Sequence, residues 1–196
     1  MTQTEVLAAM EYVPRHLFVP DAQRANAYLD QPMPLSQGRT IYQPYVVALM
    51  TQLLAHQEGG DGAGGGDRLG VPGAAVLSRV AREVYSIEID AVAASQASKR
   101  LSVLGYHNIT VRIGDGYQGW PGAGTVRRHP PGGGAAQHPQ AAARPAQGGR
   151  KMVAPVGGFF QDLQVITKTA KGLEKRAVIP VRLAPMTGQV QDGKQR

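Results

Sequence analysis

Apolar residues recur at helical spacing near the start of the chain. In TEVLAAMEYV (4–13), Val6, Ala9, Met10 and Val13 share one face and predict a helix. PYVVALMTQLLA (44–55) is apolar almost throughout. Pro44 suits the first helical position, where its missing N–H leaves no bond unmade, so a second helix is predicted there. The period then changes. EVYSIEID (83–90) alternates and is rich in β-branched and aromatic residues, the pattern of a strand, and ITVRIGDG (109–116) alternates likewise. Between them AVAASQASKRLSVL (91–104) reads as a helix, with Asp90 as N-cap and Gly105 as stop. Beyond residue 151, MVAPVG, LQVITKTA and AVIPVRLAPM read as strands. Strand and helix alternating through the middle imply an α/β fold: a mostly parallel sheet with helices on its faces. The late strands imply an antiparallel edge.

Two segments break this pattern. HQEGGDGAGGGDRLGVPGA (56–74) and PGAGTVRRHPPGGGAAQHPQAAARPAQGGRK (121–151) hold 15 of the 25 glycines and show almost no apolar periodicity. Taken as they stand they are low-complexity loops, expected to be irregular and poorly packed. Loops of such length are uncommon inside a compact domain. Reading the codons one base later gives another account. Residues 62–74 then permit VLEVGTGSGYQA, a buried strand followed by a glycine-rich turn. From residue 126 onward the shifted codons permit a string that opens YDAILLVEA, a strand, and continues as a proline-bearing turn and a helix. On this reading each segment lies between a compensating pair of frameshifts, and the central strands of the sheet are disrupted in this chain. The alternative, natural linkers, stays open. The chain divides into an N-terminal helical, substrate-side segment (1–55) and a core (56–196), together one domain.

Composition narrows the classes. The absence of cysteine excludes a disulfide framework and a thiolate metal site. His16, His56, His107, His129 and His138 show no ligand spacing with acidic partners, so no metal is expected. The formal charge of +7 suggests nucleic acid, but residues 121–151 alone carry five basic residues and no acidic one. That excess is not interleaved with core positions, which argues against a folded basic face. Glu5 and Glu11 near the N-terminus do not fit a signal peptide, and no apolar run is long enough to span a bilayer. A cytoplasmic monomer without membrane contact is expected.

The in-frame stretches resemble the protein-L-isoaspartate O-methyltransferase family. The resemblance rests on VPRHLFVP (13–20), AYLDQPMPLSQGRTIYQPYVVALM (27–50), VYSIEID, NITVRIGDGYQGWP, GGRKMVAPVGG and VRLAPMTG (181–188). It implies a Rossmann-like fold, S-adenosyl-L-methionine as cofactor, and isoaspartyl-containing proteins and peptides as substrates. The implied chemistry is attack of the isoaspartyl carboxylate on a sulfonium methyl, giving an ester that cyclises to a succinimide and can reopen to normal aspartate, a protein repair. Other readings are a methyltransferase acting on a small molecule or nucleic acid, and a non-functional frameshifted product.

Site residues follow one by one. Glu88 ends a strand about 20 residues past the shifted-frame glycine turn, where a dinucleotide-type fold sets an acid on ribose hydroxyls. The alternative is an ordinary solvated strand-end carboxylate. The resemblance places Asp115, with Gly116 beside it, at the adenine amine, whereas an Asp-Gly turn is the plain reading. It also places Thr40 and Tyr42 in the segment that lines the substrate site, where Thr40 either donates to the isoaspartyl carboxylate or is simply a helix-entry residue, and Tyr42 either binds that carboxylate or blocks it. The family has TISQPY where this chain has TIYQPY, so Tyr42 stands where the family usually carries its active-site serine.

Overall fold

The structure is a computed structural model and describes residues 3–35, 40–55, 70–115, 151–157 and 160–183. Helix α1 (Gln3–Tyr12) buries Val6 and Ala9, and Val13 follows them into the core. Pro14 and Pro20 then open two short 3-10 helices, Arg15–Phe18 and Asp21–Asn26, which the hydrophobic pattern does not announce. A two-residue antiparallel ladder follows, β1 (Met33–Pro34) on β2 (Thr40–Ile41). Val19, Ala27, Met33 and Ile41 make a small core of their own beside it.

Helix α2 (Pro44–Ala55) has the bounds its pattern predicts. Val46, Val47, Met50 and Leu54 are buried, and with them Thr51. Helix α3 (Gly70–Ser78) corrects an expectation: residues 70–74 are helical, and Pro72 and Gly73 are buried, where the pattern predicts an irregular segment. Pro72 lies in the first turn, whose N–H groups have no intrahelical partner anyway. Burial of Ala75, Val76 and Leu77 then outweighs the poor propensity of the glycines. Residues 56–69 and 121–150, where low-complexity loops or shifted-frame central strands were expected, lie outside the described residues, as does Gly116.

β3 (Val84–Glu88), α4 (Ala91–Val103) and β4 (Ile109–Ile113) form the expected strand-helix-strand unit, with the two strands parallel. Asp90 caps α4, its side chain accepting the Ala93 N–H at 2.7 Å. Gly105 takes φ +79° just past the helix, a conformation that costs glycine nothing. Asn108 Nδ2 donates toward the carbonyls of Ser78, Ala81 and Arg82, fixing the loop from α3 to β3.

The late strands form the expected antiparallel sheet: β5 (Lys151–Gly157), β6 (Gln161–Thr169) and β7 (Gly172–Val181), each paired with the next. β7 begins earlier than its apolar run, which starts only at Ala177. Residues 172–176 are exposed, so no alternation marks them, yet they pair with β6 throughout. Gly157 sits at φ +139°, and a Cβ there would strike the Phe160 carbonyl oxygen. The main core joins α1, α2 and α3 to the meander through Ala9, Val13, Val47, Met50, Ala75, Val153 and Leu163. Among the described residues the parallel portion is a single pair of strands, and the three-stranded sheet is separate from it.

Candidate functional site

Parallel pairing sends the C-terminal ends of β3 and β4 to one edge, with Glu88 in register with Ile113. Ligands of open α/β sheets bind beyond such ends. Glu88, the last residue of β3, is 2% exposed, so it is not the solvated strand-end carboxylate that was the alternative. Its Oε1 accepts the Asp90 N–H at 2.8 Å, and its backbone carbonyl accepts the Gly114 N–H at 2.9 Å. The second bond extends the ladder past the last residue of β4 and brings half-buried Asp115 to the same edge. Ile89 and Ile113, both exposed, flank it. Ionised carboxylates only accept hydrogen bonds, so this edge suits a ligand that presents hydroxyl or amine donors beside an apolar surface.

The second group of candidates lies between β2 and α2. Thr40 is half-buried and pairs with Pro34. Tyr42 is 2% exposed, its ring packed in the main core with Val46, Met50 and Val153. The resemblance puts Tyr42 in the segment that lines the substrate site; the structure buries its ring. α3 touches both β2 and β3.

Three residues without a role in the sequence reading hold the arrangement. Arg15 is buried and donates from Nε to the Ala27 carbonyl (2.7 Å) and from Nη2 to the Tyr42 carbonyl (2.6 Å). Burial lowers the Arg15 pKa from its usual value, while Asp30 and Tyr28 pull it back up. Asp30 Oδ1 accepts the Tyr45 N–H at 2.9 Å, in the first turn of α2. Asn108 is the third. The available signal was an arginine set among apolar residues in VPRHLFVP, a position where an unpaired charge would be costly.

A profile of the family described as Protein-L-isoaspartate(D-aspartate) O-methyltransferase (PCMT) matches residues 1–191. The chain belongs to this family. It is 42% identical over 197 residues to a Protein-L-isoaspartate O-methyltransferase 2 of Polaromonas sp. (strain JS666 / ATCC BAA-500), covering 94% of this chain and 88% of that relative. A Protein-L-isoaspartate O-methyltransferase of Picosynechococcus sp. is 41% identical over 193 residues, covering 93% and 82%. Among solved structures, a protein-L-isoaspartate O-methyltransferase superposes with TM-score 0.79 at 21% identity, over 95% of this chain and 62% of that one. The chain thus spans less than two thirds of that solved member. A precorrin-6y C5,15-methyltransferase from Geobacter metallireducens GS-15 superposes with TM-score 0.53 at 14% identity, over 80% of this chain and 93% of that one. At these identities the two structures bear on the fold alone, which is that of the S-adenosylmethionine-dependent methyltransferases. Among the described residues no helix is long and apolar enough to cross a membrane.

Proposed function

We propose that this chain transfers a methyl group from S-adenosyl-L-methionine to the free carboxylate of L-isoaspartyl residues in damaged proteins and peptides, working as a cytoplasmic monomer. The observation that carries this reading is the family match over residues 1–191. The residues at the strand ends fit the cofactor by their chemistry. Glu88, a buried acceptor, suits ribose hydroxyls, and Asp115, with Gly116 after it, suits the adenine amine. When bound, the cofactor supplies an electrophilic methyl carbon on a sulfonium.

The remaining work falls to positioning. A free carboxyl titrates near ~4 and is ionised at neutral pH, so the chain need not provide a strong base. Thr40 has a hydroxyl able to donate to the isoaspartyl carboxylate, and we assign it that role. Tyr42, at the family's serine position, keeps the segment packed against the core. Aligning two reactants and excluding water can account for much of such a rate. The test is methyl transfer to two peptides that differ only in aspartyl or isoaspartyl linkage. Label is expected in the isoaspartyl peptide alone. Equal labelling of both, or of neither while a nucleic acid or small molecule is labelled, overturns the reading.

We also infer that residues 56–74 and 121–151 are out of frame with the rest. The shifted strings supply a strand with a glycine turn, and a strand with a helix, where the resemblance calls for them. In the first string, GYQA falls on the positions of the opening turn of α3. Backbone N–H groups of such a turn are what admit a cofactor closely. A chain carrying the shifted strings is therefore expected to bind S-adenosyl-L-methionine more tightly than this one. Resequenced DNA that encodes both segments without a shift overturns the inference.

A further inference from the structure

A set of non-local polar contacts converges on the turn that follows Thr40. Arg15, 5% exposed, reaches two carbonyls from different stretches of chain. Ala27 ends the second 3-10 helix, and Tyr42 directly follows β2. The Gln43 carbonyl accepts the Val47 N–H, so the Tyr42 carbonyl falls one residue outside α2. Pro44 has no N–H to offer. The next amide, that of Tyr45, is met by Asp30 from 15 residues away. A cation thus holds the carbonyl entering the turn, and a carboxylate holds the amide leaving it. Asp30 also favours the charged form of Arg15 against the desolvation that opposes it.

We propose that Arg15 and Asp30 form a two-point clamp that fixes the backbone of segment 40–45 and thereby sets Thr40 against the substrate carboxylate, making both positioning residues for methyl transfer. The proposal rests on the role given to Thr40 above. Its geometry explains the choice of arginine. A planar guanidinium reaches two acceptors in fixed directions at once, which the compact ammonium of lysine does not. A purely structural tie would affect the whole fold when weakened. The clamp instead confines its effect to one segment and one substrate.

The experiment compares the full chain with Arg15→Lys and Asp30→Ala by amide hydrogen exchange and by initial rates with an isoaspartyl peptide and S-adenosyl-L-methionine. Asp30 is exposed, so its variant remains informative even if Arg15→Lys folds poorly. In each folded variant, exchange over 41–47 is expected to quicken about tenfold while 91–103 is unchanged. Peptide KM is expected to rise about tenfold, with cofactor KM held. Unchanged exchange over 41–47 in Asp30→Ala overturns the clamp, as does equal acceleration in 91–103 or a matched rise in cofactor KM. If the unaltered chain does not label the isoaspartyl peptide, the proposed function falls and exchange alone judges the clamp. Confined acceleration then sustains it, and uniform or absent acceleration overturns it.

Discussion

Replacing Tyr42 by serine sets two consequences of this structure against each other. The ring is 2% exposed within the main core, so its removal leaves a cavity. Truncating a buried aromatic costs about 3–5 kcal/mol, against a net stability of about 5–15 kcal/mol for a domain. A chain of this length loses roughly 2–4 °C of thermal midpoint per kcal/mol, so the midpoint should fall by roughly 6–20 °C. The backbone is held independently of the ring, because Arg15 binds the Tyr42 carbonyl. The serine hydroxyl is also the group the family usually carries at this position. Well below both midpoints, therefore, Tyr42→Ser should methylate an isoaspartyl peptide faster than the parent. Cofactor affinity should hold, because Glu88 and Asp115 belong to other elements. The assay pairs thermal melts with steady-state methyl transfer and cofactor titration. A midpoint within about 2 °C of the parent would refute the packing argument, since even the smallest expected loss exceeds it. Equal rates would show that the tyrosine hydroxyl substitutes adequately or that position 42 does not touch the substrate, and a fall in cofactor affinity would show that the segment serves a different ligand.

Three further outcomes are expected. Glu88→Gln keeps the acceptor for the Asp90 N–H but loses the charge, so calorimetry should show cofactor binding weaker by about ten- to a hundredfold; unchanged affinity would remove Glu88 from the site. Gly157→Ala forces a Cβ into the Phe160 carbonyl at positive φ and should cost about 1–3 kcal/mol in urea unfolding, whereas an unshifted midpoint would mean that the β5–β6 turn relaxes freely. Burial raises the Tyr106 pKa above 10.0, reinforced by Tyr12 and offset by Arg79. The folded state then keeps a proton that the unfolded state gives up, so this contribution is present below pH 10.0 and is lost as pH rises through the raised folded value. Tyr106→Phe should flatten that alkaline fall in thermal midpoint, and an identical profile would assign the fall to other groups.

Elements whose local chemistry and tertiary setting agree are legible in the amino-acid sequence alone. α2 runs from Pro44 to Ala55 because proline, apolar density and length all favour the same bounds. Asp90 and Gly105 bound α4 for reasons carried within a few residues. The rest depends on partners distant in sequence. β7 starts at Gly172 because β6 offers it a ladder, and exposed residues leave no alternation to read. α3 starts at Gly70 because burial of Ala75, Val76 and Leu77 draws a weak opening turn into shape. In the site, Glu88 is nameable as a strand-end acid, yet only the fold separates a buried carboxylate from a solvated one. The inward turn of Tyr42 and the two hydrogen bonds donated by Arg15 have no local signature at all.

The meander of β5, β6 and β7 also bears on the order in which the chain assembles. Among the described residues its strands pair only with sequence neighbours, Gly157 with Gln161 and Thr169 with Gly172 marking the ends of the two ladders. Hairpins of that kind close in roughly 1–10 μs, because little chain entropy is lost before the ladder begins to form. The inner face it presents, Val153 and Leu163, has its partners on α2, roughly a hundred residues earlier. That encounter is slow and non-local, and it is set by loop closure rather than by strand pairing. Loop-closure cost grows only logarithmically with the length of intervening chain, about 0.6 kcal/mol for each doubling. Docking of the meander on α2 is therefore expected to follow the closing of its hairpins.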